Sequence, residues 1–203
     1  AFTPDGNLIV SPIDASPSVW NLKDIEQPLA TFADQSYTIC AQVSADGNWL
    51  AQSLQGGAVL LRRIQDGVPL EKAFELKVQN SAVFSFAFSP DCKLLAAAGI
   101  FGEIHLFSVP EHNSAPTLIG EIRSSTRAIH AMAFSPDGRL LATGHSEGDV
   151  RVWNVKQSLA GQKAVTQVFG HSDTIEALKF NPGGGQFASA SLDGKVILWN
   201  VAL

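Results

Sequence analysis

Cysteine is nearly absent: Cys40 and Cys92 are the only two in 203 residues and stand 52 positions apart. A disulfide framework needs more of them and a structural zinc site needs clustered C-x-x-C spacing, so both are excluded. The pair is expected to be two half-buried thiols on a strand or in a turn. Charge is also scarce. Asp, Glu, Lys and Arg make up 16% of the chain, against roughly 25% in an average soluble domain, which argues against a disordered chain, a coiled coil or a charged helical bundle. Lys and Arg number 14 against 19 Asp and Glu. The bulk electrostatic footprint of a nucleic-acid binder is therefore missing, and no nucleic-acid partner is expected. No apolar run reaches the ~18 residues of a membrane span; the longest, Leu94 to Phe101, is broken by Gly99. No signal-peptide pattern and no N-x-[ST] acceptor occur. A cytoplasmic protein with no membrane partner is the expectation.

Turn residues, by contrast, are plentiful, with 17 Gly and 10 Pro, and they recur on a period. A five-residue signal appears as Phe2-Thr3-Pro4-Asp5-Gly6, Val43-Ser44-Ala45-Asp46-Gly47, Phe88-Ser89-Pro90-Asp91-Cys92, Phe134-Ser135-Pro136-Asp137-Gly138 and Phe180-Asn181-Pro182-Gly183-Gly184, at intervals of 41, 45, 46 and 46 residues. A second landmark follows each: Trp20-Asn21, Arg62-Arg63, Phe107-Ser108, Trp153-Asn154 and Trp199-Asn200. Ser125–Asn154 and His171–Asn200 share 10 identities in 30 ungapped positions, where average residue usage gives roughly two. The chain is thus five repeats, at about 1–33, 34–78, 79–124, 125–170 and 171–203.

Within a repeat the hydrophobic period is two. Ile175-Glu176-Ala177-Leu178-Lys179-Phe180 runs to a Pro/Gly turn, Gln186-Phe187-Ala188-Ser189-Ala190-Ser191 runs to Asp193-Gly194, and Lys195-Val196-Ile197-Leu198-Trp199 follows. These are short strands joined by hairpins, with Pro presetting φ and Gly accepting φ > 0 in the turns. Segments such as Gln162 to Phe169 supply a fourth strand after a longer loop. No window of 11–18 residues carries a helical stripe, so the fold class is all-β.

Four-stranded units at this period resemble the WD-repeat β-propeller family over essentially the whole chain. The last repeat matches best, with Gly170-His171 at the family's Gly-His pair, Ser189 on the second strand, Asp193 in the second turn and Trp199-Asn200 where Trp-Asp ends the third strand. The resemblance implies a hydrogen-bonded network of His171, Ser189, Asp193 and Trp199. In the fourth repeat Thr143 and Trp153 remain, with Glu147 for the Asp and Ser125 for the His. The third has Gln79, Ala97, Phe101 and Phe107 in those places and the second Asp34, Gln52, Gly56 and Arg62, so neither is expected to form the network. The first keeps Ser11 and Trp20. A buried Arg62 needs a carboxylate partner, so Arg62 is expected to reach solvent or an acidic neighbour.

The chain begins inside a first-to-second strand turn and stops just past a third strand, so 18 strands in five blades are expected, the first and last blades incomplete. An arc of a larger propeller, with a covalent continuation, is the expectation. A complete five-bladed ring and a pair of arcs joined in one ring are its rivals.

No reaction is suggested. Gly144-His145-Ser146-Glu147-Gly148 is a literal G-x-S-x-G, but a nucleophile elbow needs a strand–turn–helix context and this stretch bridges two strands. Gly183-Gly184-Gly185 occupies a turn, with no Gly-Lys-Ser/Thr and no helix after it. Histidines 105, 112, 130, 145 and 171 are unpaired at ligand spacings and the carboxylates are scattered, so no metal, cofactor or acid/base pair is expected. The family resemblance implies instead a binding face around the central channel. Its positions are Tyr37, Ile39 and Gln55 in the second repeat, Ala82, Phe84 and Ile100 in the third, Ala128, His130 and Ser146 in the fourth, and Thr174, Glu176 and Leu192 in the fifth. The expected function is a non-enzymatic scaffold whose rigid face meets another protein or protein segment. The alternative is a sensor or autoinhibitory module of a larger signalling protein fused to an NTPase or protease.

Overall fold

The recurring turn builds the hairpins through one hydroxyl. Ser44, Ser89 and Ser135 each donate from Oγ to Oδ1 of the aspartate two residues on, at 2.5, 2.6 and 2.6 Å. Each also accepts from a main-chain amide five residues on: Trp49 N at 3.0 Å, Leu94 N at 2.9 Å and Leu140 N at 2.9 Å. Asp46, Asp91 and Asp137 accept in addition from the amides of Asn48, Lys93 and Arg139. The hydroxyls of Ser89 and Ser135 are the main reason that the Asp91 and Asp137 carboxyls lie below the ordinary carboxylate range. In the last repeat Asn181 Oδ1 accepts from Gln186 N at 3.1 Å. Side chains thus satisfy the polar groups that the turn takes out of the ladder.

The computed structural model describes residues 8–11, 18–21, 26–28, 30–31, 38–54, 56–65, 68–111, 114–124, 127–161 and 166–201. The chain divides into two units, Ala1–Val83 with His112–Pro116, and Phe84–Glu111 with Thr117–Leu203. The first unit holds a three-stranded sheet, β1 (Leu8–Ser11), β2 (Ser18–Asn21) and β3 (Ala30–Thr31). It also holds a four-stranded sheet, β4 (Thr38–Val43), β5 (Trp49–Leu54), β6 (Ala58–Gln65) and β7 (Val68–Lys77). Val19, Val43, Leu50 and Ile64 form their common core, with Ala30 and Ala41 against it.

The second unit takes up β8 (Val83–Phe88) from Phe84 onward, then β9 (Leu94–Gly99), β10 (Glu103–Ser108) and β11 (Thr117–Arg123). The next sheet is β12 (Ile129–Phe134), β13 (Leu140–His145), β14 (Asp149–Asn154) and β15 (Thr166–Phe169). The last is β16 (Ile175–Phe180), β17 (Gln186–Ser191) and β18 (Val196–Asn200). In every sheet sequence neighbours pair antiparallel, so the 18 strands of the described residues are successive hairpins. The fourth strand of the fourth repeat is described over Thr166–Phe169; residues 162–165, where its expected start falls, lie outside the described residues.

Sheets of the second unit pack with a large-residue face against a small-residue face. Ala87, Ala96, Ala98, Ile104 and Leu106 meet Ile129, Met132, Phe134, Leu141 and Trp153 of the next sheet. One repeat on, Ala131, Ala142, Val150 and Val152 meet Ile175, Phe180 and Phe187. In β16–β18 the corresponding Val196 and Leu198 are 70% and 71% exposed, where Val150 and Val152 are 0% and 1%.

One short helix, α1 (Val155–Leu159), departs from the all-β expectation. Asn154 caps it by accepting from Gln157 N at 3.1 Å, the role a β-region Asn plays before a helical turn. Five residues are too few to leave a periodic signal.

The fourth turn position has φ of +73° at Gly47, +71° at Gly138 and +73° at Gly184, and Cys92 occupies it at +57°. A side chain there costs roughly 1–2 kcal/mol of backbone strain, partly offset by burial of the thiol. Cys92→Gly is expected to raise stability by about 0.5–1 kcal/mol and the melting temperature with it. A lower melting temperature by calorimetry would show that the buried thiol's contacts outweigh the strain.

Candidate interaction face and the networks that hold it

In the last sheet four side chains form a relay whose direction follows from their chemistry. Trp199 Nε1 can only donate, and does so to Ser189 Oγ at 2.8 Å. Ser189 Oγ lies 2.7 Å from His171 Nε2, and His171 Nδ1 lies 3.1 Å from both oxygens of Asp193. An ionised Asp193 only accepts, so His171 donates to it from Nδ1, and Nε2 of the neutral ring accepts a hydrogen bond from the Ser189 hydroxyl. Asp193 accepts further from the amides of Ser172 at 3.0 Å and Lys195 at 2.9 Å. Burial pushes the Asp193 carboxyl up, but these two amides and His171 together hold it down at about 2. The relay ties the loop before β16 to the turn before β18.

The fourth repeat builds a related network with a different histidine. Trp153 Nε1 donates to Thr143 Oγ1 at 3.0 Å, and Thr143 Oγ1 lies 3.0 Å from His145 Nε2, with Ser124 Oγ 3.2 Å from the same nitrogen. His145 stands two residues after Thr143 on one strand, so both side chains share a face. Ser125, at the family's histidine position, lies outside the described residues. Glu147 is not part of the network: it pairs with Arg127 near the surface. Buried Asp149 accepts instead from Arg151 Nε at 2.9 Å and Gln167 Nε2 at 3.0 Å, while Arg151 Nη1 donates to the Ser124 carbonyl. Sequence reasoning missed His145, Asp149 and Arg151, because an i, i+2 pair on β13 substitutes for partners that the family places in separate segments. The literal G-x-S-x-G dissolves in the same way. A Cβ on Gly144 would lie 2.4 Å from Ile175 Cγ2, and Gly148 turns at φ +83° with His171 O in the space of a Cβ.

Arg62 does not reach solvent. It is buried, and its Nη1 donates to Gln52 Oε1 at 2.5 Å, an amide on the paired strand. Arg63 points the other way and stacks 5.1 Å above the Trp49 ring, its partner in register. In the third repeat, Ala97 and Phe107 are buried, Phe107 against the His105 ring, and Phe101 is exposed. Trp20 is half-buried on β2 opposite Ile9. Asp34 lies outside the described residues. Cys40 is half-buried, and burial pushes its thiol up to about 11; Cys92 is buried.

The expected face is populated in the second unit. Phe84, His130 and Glu176 occupy the same place on β8, β12 and β16. The Phe84 and His130 rings stack with centroids 4.7 Å apart and planes at 21°, and His130 Nδ1 lies 3.8 Å from Glu176 Oε1. The neighbouring turns are bonded to the loops ahead of these strands. Ser146 N donates to Ala128 O at 3.1 Å, Leu192 N to Thr174 O at 3.0 Å, and Thr174 Oγ1 to Ser146 O at 3.2 Å. Ile100 is 42% and Leu192 64% exposed. Phe101 beside Ile100 is more exposed still, and its signal in the sequence was an aromatic in a turn position that the family fills with Asp. Ile39, in the first unit, is exposed. Tyr37 and Gln55 lie outside the described residues. Among the described residues no group of three or more His, Cys, Asp or Glu is arranged to hold a metal, and no helix is long and apolar enough to cross a membrane.

Residues 116–154 and 162–200 match the family described as WD domain, G-beta repeat. Those two segments are WD repeats. Solved structures with its propeller fold include Sqt1 from Chaetomium thermophilum, 22% identical with a TM-score of 0.80 over 98% of this chain and 54% of that one. The same Sqt1 bound to the N-terminus of the ribosomal protein L10 gives 21% identity and a TM-score of 0.79, over 98% and 57%. A chain of the mitotic checkpoint complex gives 19% and 0.81, over 98% and 58%. The WD-repeat chain thus spans little more than half the length of these solved chains. No curated protein matches it.

Two outcomes follow for the WD-repeat networks. Thr143→Val strands the buried Trp153 indole N–H and should lower unfolding free energy by about 1–3 kcal/mol in urea titrations, Thr143→Ser much less. His145 supplies a pH signature. Burial pushes its pKa down, Asp149 opposes this, and Arg151 and Arg127 add to it, leaving about 4 against an ordinary 6.5. The unfolded chain therefore binds more protons between these values. His145 adds stability that is fully present above pH 6.5 and lost as the pH falls towards 4, with a slope of at most about 1.4 kcal/mol per pH unit. In His145→Gln that part of the slope should vanish. An unchanged slope would place the titration elsewhere.

Proposed function

We propose that this WD-repeat chain is a non-enzymatic interaction module. It meets another protein, or a segment of one, through the face that carries Phe84, Ile100, His130, Ser146, Thr174, Glu176 and Leu192. The observation that carries the reading is large apolar side chains held in water at turns: Ile100, Phe101 and Leu192 are 42%, 53% and 64% exposed. Turns ordinarily carry Gly, Asn, Asp or Ser, and large apolar groups repeated in their place suit a contact surface. The hydrogen bonds between Leu192 N and Thr174 O and between Ser146 N and Ala128 O hold the Leu192 and Ser146 turns in place before any partner arrives, so little ordering entropy is lost there on binding. Sqt1, which shares the fold, has been solved with a segment of another protein, and this supports a protein partner for the present chain.

The test uses the full chain as bait beside an Ile100→Ser, Leu192→Ser variant. Both sites are exposed, so the melting temperature should stay within a few degrees of the original. A partner identified by mass spectrometry and then measured as a purified protein should bind the variant about tenfold or more weakly. Equal affinity for both forms would remove this face from the interaction.

A further inference from the structure

Small residues open a cavity in the second repeat at a place that the fourth repeat fills with polar side chains. In the fourth, β14 pairs with β15 so that Asp149 stands opposite Phe169 and Arg151 opposite Gln167, and the Gln167 amide donates to the Asp149 carboxylate at 3.0 Å. In the second, β6 pairs with β7 in the same register, with Ala58 opposite Lys77 and Leu60 opposite Glu75. Gly56 and Ala58 take the places of Glu147 and Asp149, and a Cβ on Gly56 would meet nothing within 4 Å. The space left is about 370 Å³, lined by Gly56, Ala58, Glu75, Lys77, Val78 and Gln79. That volume lies at the small end of the range of small-molecule sites.

The lining is polar in a specific way. Glu75 and Lys77 alternate along β7, so their side chains share one face. Among the described residues neither side chain has an ionic or hydrogen-bonding partner. Gln79 donates from Nε2 to the Ala82 carbonyl at 2.5 Å, and its Oε1 is buried without a partner. The cavity thus offers a carboxylate and an amide oxygen as acceptors, one ammonium as a donor, and the apolar Ala58 and Val78. A lone cation would leave Lys77 unmatched, and a lone anion would leave Glu75 and Gln79 unmatched.

We propose that this cavity binds a small aliphatic α-amino acid as its zwitterion. The α-ammonium donates to the Glu75 carboxylate and to Gln79 Oε1, the α-carboxylate accepts from Lys77 Nζ, and the side chain rests on Ala58 and Val78. A bound ammonium supplies the donor that the buried Gln79 oxygen lacks, and the two charged contacts are of the stronger, charge-assisted kind. The site lies in the first unit and uses none of the residues proposed to meet a protein partner.

The test is an NMR titration of the full chain, following the amide signals of Gly56, Gly57 and Asn80. The probes are L-alanine and L-valine, with N-acetyl-L-alanine, which lacks the ammonium, and L-alanine amide, which lacks the carboxylate. Saturable shifts are expected with both amino acids, and each blocked form should bind about tenfold or more weakly than L-alanine. Glu75→Gln and Lys77→Met, changes at exposed positions, should each weaken L-alanine several-fold and leave the melting temperature within a few degrees of the original. The absence of a saturable shift with either amino acid would overturn the proposal. So would N-acetyl-L-alanine or L-alanine amide binding as tightly as L-alanine, a comparison made on the unaltered chain and independent of how the variants fold.

Discussion

Close approach between consecutive sheets is the constraint on which the second unit depends. At Gly144 the neighbouring Ile175 side chain comes so near that a Cβ would sit 2.4 Å from its Cγ2. Packing at that distance requires one face of each sheet to be small, which is why Ala96, Ala98, Ala142 and Gly144 alternate along β9 and β13. It requires the opposite face to be large, which is met by Ile129, Phe134, Leu141 and Trp153, and again by Ile175, Phe180 and Phe187. Neighbouring innermost strands are thereby brought side by side, and the Phe84, His130, Glu176 row is a consequence of that spacing.

A donor buried between strands needs a partner inside, and the repeats supply one in different ways. The last sheet uses a four-member relay ending on a carboxylate with two amide donors. The fourth repeat reaches the same end with His145 from its own strand and a separate Asp149, Arg151 and Gln167 cluster. The second repeat replaces an indole by a guanidinium and a hydroxyl by an amide, Arg62 on Gln52. What is common is satisfaction of a buried donor across paired strands; which residues supply it is free to vary.

The same packing frees the turns for function. Their backbones are held by Ser-to-Asp hydroxyl bonds at one end of the hairpins and by loop-to-turn amide bonds at the other. Side chains such as Ile100, Phe101 and Leu192 therefore carry no structural duty and stand in water. A surface made this way is rigid without being part of the core, which suits recognition of a partner at low entropic cost.

Much of this was legible in the residues themselves. The Ser-x-Asp turn, the period of two and the return of Phe, Pro and Trp at 46-residue intervals defined the strands and their hairpin order, because turn chemistry and alternation are local properties. The His171, Ser189, Asp193, Trp199 set was readable because it follows a family pattern in sequence. Other features depend on distances between segments far apart in the chain, and only the tertiary structure decided them. The G-x-S-x-G became a packing glycine, a network histidine and a turn glycine only once Ile175 and His171 were placed beside it. Arg62 lies inward with Gln52, two positions along the neighbouring strand, accepting from it. Phe84, His130 and Glu176 became one row because three sheets stack in register, a relation that no window of a few residues contains.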